Sequence, residues 1–240
     1  MTTLFALARS PRLRRVVRAS ITLGFAVGVF AVSFGVGAVS AGASTVQTCA
    51  MSLLVFTGAS QFSAVSVIAA GGSTSSALGG ALLLAARNGV YGLAMSRHLD
   101  GSVATRLIAA QLTIDESTAM ALAQQDEPAR RAAFWITGLS VYLFWNIGTL
   151  VGALLGNAIN PATFGLDAAF PAAFVVMLWP HLRSRRGRIA AALGVIICIS
   201  MIPFVPVGVP ILCASLAVLV GVPAPTAEER APTAGNGLAG

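Results

Sequence analysis

Val55-Phe-Thr-Gly-Ala-Ser-Gln-Phe-Ser-Ala-Val65 lies in the middle of a long apolar segment, residues 46–70. A segment that met only lipid would have no use for Thr57, Gly58, Ser60, Ser63 or, above all, Gln61. An amide at that depth costs a few kcal/mol unless it finds hydrogen-bond partners. Gly58 is a poor helix former and lets the backbone loosen or approach a neighbour closely. Two readings follow. In one, the helix weakens at Thr57–Gln61 and its freed polar groups face a ligand, as in proteins that build binding sites from broken helices near mid-membrane. In the other, the stretch is a small-residue packing face with Gln61 as glue between helices.

The chain around this stretch is that of an integral membrane protein. Of 240 residues, 56% are hydrophobic and 10% charged, with a mean hydropathy of +0.84. A soluble domain carries about 25% charged residues. All fifteen basic residues are Arg. They cluster between apolar segments, where they set orientation, so the net charge of +7 does not point to nucleic acid. Cys49, Cys198 and Cys213 lie in apolar segments without metal-ligand spacing, and no catalytic, nucleotide or cofactor motif is present. His98 and His181 stand beside Arg at segment ends and read as interfacial.

The expected organisation is all-α and polytopic, with about seven or eight transmembrane helices. A basic arm, residues 1–18, precedes a transmembrane domain, residues 19–222, and a Pro/Ala/Gly-rich tail, residues 223–240, expected to be disordered. Five Arg before the first span predict a cytoplasmic N-terminus. Ala41-Gly-Ala-Ser44 resembles a signal-peptidase site, but the apolar run before it is too long for a signal sequence and reads as a span. Gly24, Gly28 and Gly35 form one small-residue stripe in that span; Gly148, Gly152 and Gly156 form another in residues 132–158. Such stripes serve close helix packing. Eight spans reconcile the N-terminal arm, Arg130-Arg131 and Arg183–Arg188 on the cytoplasmic side, but put Arg97 and Arg106 outside. With seven, one segment, 107–123 or part of 46–96, enters only partly. A weak echo at an offset of about 112–114 residues pairs Gly24 with Gly138, and Phe56 and Phe62 with Phe170 and Phe174. It fits the duplicated halves common in such proteins.

Arg87 is the only charge between Arg18 and Arg97. An intramembrane Arg is by default a functional candidate, although it can also snorkel or pair structurally. Tyr91 lies one turn on and shares its face. Asp115 and Glu116 interrupt the segment at 107–123. One could neutralise Arg87, and the other could carry a proton, because desolvation makes a carboxylate hold its proton more readily. The plainer reading has Thr113 capping a helix whose first turn holds both acids.

Three motifs resemble the AzlC family: Met51-Ser-Leu-Leu-Val-Phe-Thr-Gly-Ala-Ser-Gln-Phe62, then Leu83-Leu-Ala-Ala-Arg-Asn-Gly-Val-Tyr-Gly92, then Leu112-Thr-Ile-Asp-Glu-Ser117. The Gly165–Pro171 piece follows in the family's order. The family often has Asn-Leu-Arg-His before Tyr-Gly, whereas this chain has Ala85-Ala-Arg-Asn88. The resemblance implies the large subunit of an exporter of branched-chain and related hydrophobic amino acids in the bacterial inner membrane. It also implies a small AzlD-type membrane subunit as partner, and energy from the proton motive force. It implies neither enzyme activity nor a cofactor. The expected substrate site comprises Phe56, Thr57, Gly58, Ser60, Gln61, Phe62, Arg87 and Tyr91. Asp115 and Glu116 would pair charge or couple protons. The alternative is a membrane scaffold or sensor subunit with no transport of its own.

Overall fold

The computed structural model describes residues 11–158 and 181–217, with Ala172, Val175, Leu178 and Trp179 between them. The described residues form helices and no strand. In order these are α1 (Pro11–Ser40), α2 (Thr45–Val55), α3 (Ala59–Ala69), α4 (Thr74–Ser96), α5 (Val103–Gln111), α6 (Asp115–Leu122) and α7 (Glu127–Ala158). After a 3-10 turn at His181–Arg183 come α8 (Arg185–Met201) and α9 (Val209–Ala214). Residues 1–10, the Gly165–Pro171 piece, Phe170, Phe174 and the tail lie outside the described residues.

Helices α1 and α7 form the frame. Two stretches among the described helices, Leu13–Ser40 and Glu127–Ala158, are both long and apolar enough to cross a bilayer. They run parallel, and the two glycine stripes face each other. A Cβ on Gly148 would lie 2.0 Å from the Gly28 carbonyl oxygen, and one on Gly152 would lie 2.1 Å from that of Val32. In the other direction, a Cβ on Gly35 would meet the Thr149 carbonyl at 2.3 Å and one on Gly28 the Phe144 carbonyl at 2.7 Å. Gly24 and Gly156 flank this zone, with would-be contacts of 3.0 and 3.2 Å to backbone. In lipid, helix association rests on such close packing, because burial of apolar surface against lipid gains little. A buried bond between the Ser20 and Thr137 hydroxyls (2.8 Å) fixes the register.

The contacts settle the path between these two helices. From the Ser40 end, α2 starts beside the end of α7, where Asn157 Nδ2 donates to Thr45 Oγ1 (2.8 Å). It passes Thr149, which accepts a bond from Ser52 Oγ (3.1 Å), and reaches Tyr142, the middle of α7, whose hydroxyl donates to the Leu53 carbonyl (3.1 Å). There the chain turns. α3 climbs back, with the Phe62 ring against Phe30 and Phe34, and returns to the face it left. Each half-helix has 11 residues, about 16 Å, or half of a hydrocarbon core of about 30 Å.

Helix α4 then runs the full depth to the Glu127 end. His98, just past α4, bonds Glu127, which also pairs with Arg130 (3.3 Å). α5 and α6 make a second, shorter hairpin that enters from this end. α5 rises until Gln111 Nε2 donates to the Leu53 carbonyl at the tip of the first hairpin (2.9 Å). α6 descends again, and Gln124 and Gln125 come down beside Arg15 of α1.

Segments 46–70 and 107–123 therefore each fold as a helical hairpin whose two ends lie at the same end of the α1–α7 frame. Arg97 and Arg106 fall at the same end as Arg14, Arg15, Arg18, Arg130 and Arg131. The outer surface is apolar: Phe25, Val29, Leu54, Leu78, Val90, Leu93 and Ile147 are all exposed, as a lipid-facing wall requires.

The α1–α7 contact has a direct test in thermal unfolding in detergent. Gly152→Leu should lower the midpoint by several degrees or abolish folded protein, because backbone blocks the new side chain and overpacking costs about 1–3 kcal/mol even where neighbours can yield. Gly89→Ala, where nothing lies within 4 Å of the new methyl, should leave it unchanged or raise it slightly, since Ala is the better helix former.

Candidate functional site at the meeting of the two hairpins

The first hairpin breaks because Phe56 and Gly58 leave the helical region. Phe56 is left-handed (φ 41, ψ 50), and Gly58 sits at φ 55, ψ −87, which strains any residue with a Cβ. Phe56 is held there by burial, at 3% exposure, and by an edge-on contact with Tyr142 at 4.8 Å. The hairpin is stapled by Gln61. Its Oε1 accepts from the Gly58 N–H (3.1 Å), and its Nε2 donates to the Met51 carbonyl (3.0 Å). The amide is thus spent on joining the two half-helices.

The second tip, Leu112–Ile114, is built by Ser117. Its hydroxyl donates to the Leu112 carbonyl (2.6 Å) and accepts from the Ile114 N–H (3.1 Å). Thr113 is not the cap; its hydroxyl turns back to the Ala109 carbonyl (2.7 Å) and closes α5. Asp115 and Glu116 occupy the first turn of α6, where the helix dipole favours carboxylates.

The tips meet around Arg87 of α4. Its Nη1 donates to Asp115 Oδ2 (3.0 Å), and its Nη2 approaches the Thr57 carbonyl (3.5 Å). One cation therefore touches the broken backbone of one hairpin and the acid of the other. Beside it lies a cavity of about 290 Å³, near the lower limit of small-molecule pockets. Phe56, Thr57, Gly58, Arg87, Asp115 and Glu116 line it, joined by Ala26, Val27 and Phe30 of α1, Ile114, and Val141 and Trp145 of α7. The wall is largely apolar, with its charges confined to one side.

Six of the expected site residues thus come together. Ser60, Gln61, Phe62 and Tyr91 do not line the cavity. Ser60 and Gln61 are buried behind it, Phe62 belongs to an aromatic cluster with Phe30, Phe34 and Trp145, and Tyr91 is half-buried on α4. The contribution of α1 and α7 was not foreseen. Trp145 offered the one available signal, an aromatic with a polar N–H deep inside a span. Among the described residues no His/Cys/Asp/Glu cluster could hold a metal ion.

Residues 22–159, which contain both hairpins, α7 and most of α1, match the AzlC family, described as AzlC protein. The chain is 26% identical over 182 residues to an uncharacterized membrane protein of Helicobacter pylori strain 26695, covering 75% of this chain and 79% of the relative. It is 27% identical over 177 residues to a Bacillus subtilis protein named branched-chain amino acid transport protein AzlC, covering 72% of this chain and 66% of that protein. No solved structure matches.

The charge pair makes a stability prediction. Arg87→Met leaves Asp115 unpaired at mid-depth and should cost roughly 2 kcal/mol, a fall in melting midpoint of roughly 4–8 °C. Adding Asp115→Asn should restore most of it. An Arg87→Met variant as stable as the parent would show that the pair carries no structural weight. On the family match, the apolar outer surface and the membrane-protein relatives, the chain is a helical membrane protein and belongs to the AzlC family.

Proposed function

We propose that this chain is a subunit of a secondary transporter that exports branched-chain or related hydrophobic amino acids across the bacterial inner membrane. The observation that carries this reading is the cavity at the meeting of the two hairpins. An amino acid offers a carboxylate, an ammonium and, here, an apolar side chain. Arg87 suits the first, Glu116 the second, and Ala26, Val27, Phe30 and Val141 the third. The name of the Bacillus subtilis relative supports the substrate class. Opposed hairpins also suit alternating access, since withdrawing either tip would open the cavity to one face only.

Asp115 holds Arg87 through an ion pair of 3.0 Å. An incoming carboxylate competes for the same guanidinium and would release Asp115 from it. That exchange would couple movement to the proton gradient without ATP. The Arg-rich Glu127 end faces the cytoplasm in this reading. A small AzlD-type membrane subunit is the proposed partner. The chain acts as a transport protein rather than an enzyme and needs no cofactor.

The experiment is efflux from cells preloaded with leucine, isoleucine, valine or methionine, expressing this chain alone or with the adjacent small subunit. We expect efflux from the pair, abolished by a protonophore and reduced at least tenfold by Arg87→Ala. Stable membrane expression without efflux of any of the four would contradict transport and favour a scaffold or sensor role.

A further inference from the structure

Helix α2 ends at Val55, so its last carbonyls find no donor further along their own helix. Two of them are taken by one side chain of the other hairpin. Gln111 Nε2 donates to the Leu53 carbonyl at 2.9 Å and reaches that of Leu54 at 3.3 Å. The Leu53 carbonyl also accepts from the Tyr142 hydroxyl (3.1 Å), so both of its lone pairs are used. The first hairpin, the second hairpin and the α1–α7 frame therefore meet at one oxygen atom. Ser52, the residue before, fixes the same place to the frame through its bond to Thr149 (3.1 Å). A second link between the hairpins runs through Arg87, which joins Asp115 (3.0 Å) to the Thr57 carbonyl (3.5 Å).

The two links stand in different surroundings. Thr57, Arg87 and Asp115 line the cavity, whereas Leu53, Leu54 and Gln111 do not. Exposed apolar side chains flank the Gln111 link instead: Leu54 (76% exposed) on α2, and Leu107 (66%) and Ile108 (54%) one turn before Gln111 on α5. Such a surface faces lipid. Parting the bond there would leave an amide and the Leu54 carbonyl in hydrocarbon, where nothing replaces the lost partner. On the cavity side a charged ligand can take the place of either partner of Arg87. One link is costly to break, and the other is exchangeable.

We propose that Gln111, Leu53 and Tyr142 form a pivot: the two hairpins stay joined there through the transport cycle and part only on the Arg87 side. This rests on the transport reading and names the point about which the cavity opens. Gln111 is a positioning residue, which acts on the substrate through the tip that it holds. Withdrawal of a tip is then a rotation about the Leu53 carbonyl and not a separation, so no freed carbonyl of α2 meets lipid in either state.

The test joins the pivot covalently. Leu54→Cys with Gln111→Cys, in the chain without Cys49, Cys198 and Cys213, is treated with a short, membrane-permeant bifunctional thiol reagent. The cells carry the adjacent small subunit and preloaded leucine. We expect the pair to cross-link and leucine efflux to stay close to its rate before treatment. Thr57→Cys with Ile114→Cys, joined in the same way across the cavity, should lose efflux roughly tenfold or more on treatment, because the motion that opens the cavity is blocked. Loss of efflux on joining Leu54→Cys to Gln111→Cys would show that the tips part there and would overturn the pivot, while efflux before treatment would leave the transport reading standing. A pair that cannot be joined although each cysteine alone reacts would overturn it as well. Should the loss of Gln111 itself stop efflux, Leu54→Cys with Leu107→Cys keeps the amide and carries the same contrast. No efflux by the parent would overturn the transport reading and the pivot together.

Discussion

The close approach of α1 and α7 is the contact on which everything else depends. Glycine faces carbonyl oxygen along both helices, so the two backbones meet with no side chain between them. Parallel packing at that distance leaves one side of the pair to hold both hairpins. It also sets the depth of every other element: α2 and α3 are placed by Thr149, Tyr142 and Trp145, and the α5–α6 tip by the packing of Leu112 on Gly138. Had the stripes carried Ala or Val, the helices would splay and the cavity between them would lose its back wall.

A second constraint is the accounting of polar groups at mid-depth. Breaking a helix in lipid frees backbone groups, and each must find a partner inside the protein. The first break takes its partners from Gln61, Tyr142 and Gln111; the second takes them from Ser117 and Thr113. Gln111 belongs to one hairpin and bonds the carbonyls of the other, so the two breaks satisfy each other across the midplane. Some side-chain atoms stay without a partner: those of Thr57, Arg87 and Trp145 belong to residues that line the cavity, and others, on Ser63, Asn88 and Thr118 among them, lie elsewhere in the described residues.

Much of this was legible in the sequence. The glycine spacing marked two close-packing helices, and the run Thr57 to Gln61 marked a weak point in a helix. Arg87 and the adjacent acids Asp115 and Glu116 stood out as charges out of place in lipid, but the sequence did not show which acid meets Arg87. What the residues could not show is direction. Segments 46–70 and 107–123 carry as much apolar character as a span, and hydropathy does not distinguish a chain that crosses from one that turns at half depth. The turn depends on a left-handed Phe56, a conformation imposed by burial against Tyr142 and not by any local propensity. Gln61 was seen as a buried amide, yet its partner, Met51, is ten residues away and becomes visible only once the hairpin is folded. Trp145 stands in mid-span in the sequence, but its place in the cavity wall becomes visible only once α1 is laid beside it.

The central claim is that the two hairpins enter from opposite faces and meet in the middle. Single cysteines in a background without Cys49, Cys198 and Cys213 test it in intact cells with a membrane-impermeant thiol reagent. The account predicts that Ser40→Cys and Ser75→Cys, which bracket the first hairpin, react alike, while Asp100→Cys and Gln125→Cys, which bracket the second, are both protected until the membrane is opened. Opposite behaviour of Ser40→Cys and Ser75→Cys would mean that the first segment crosses, and would contradict the architecture from which the site is built.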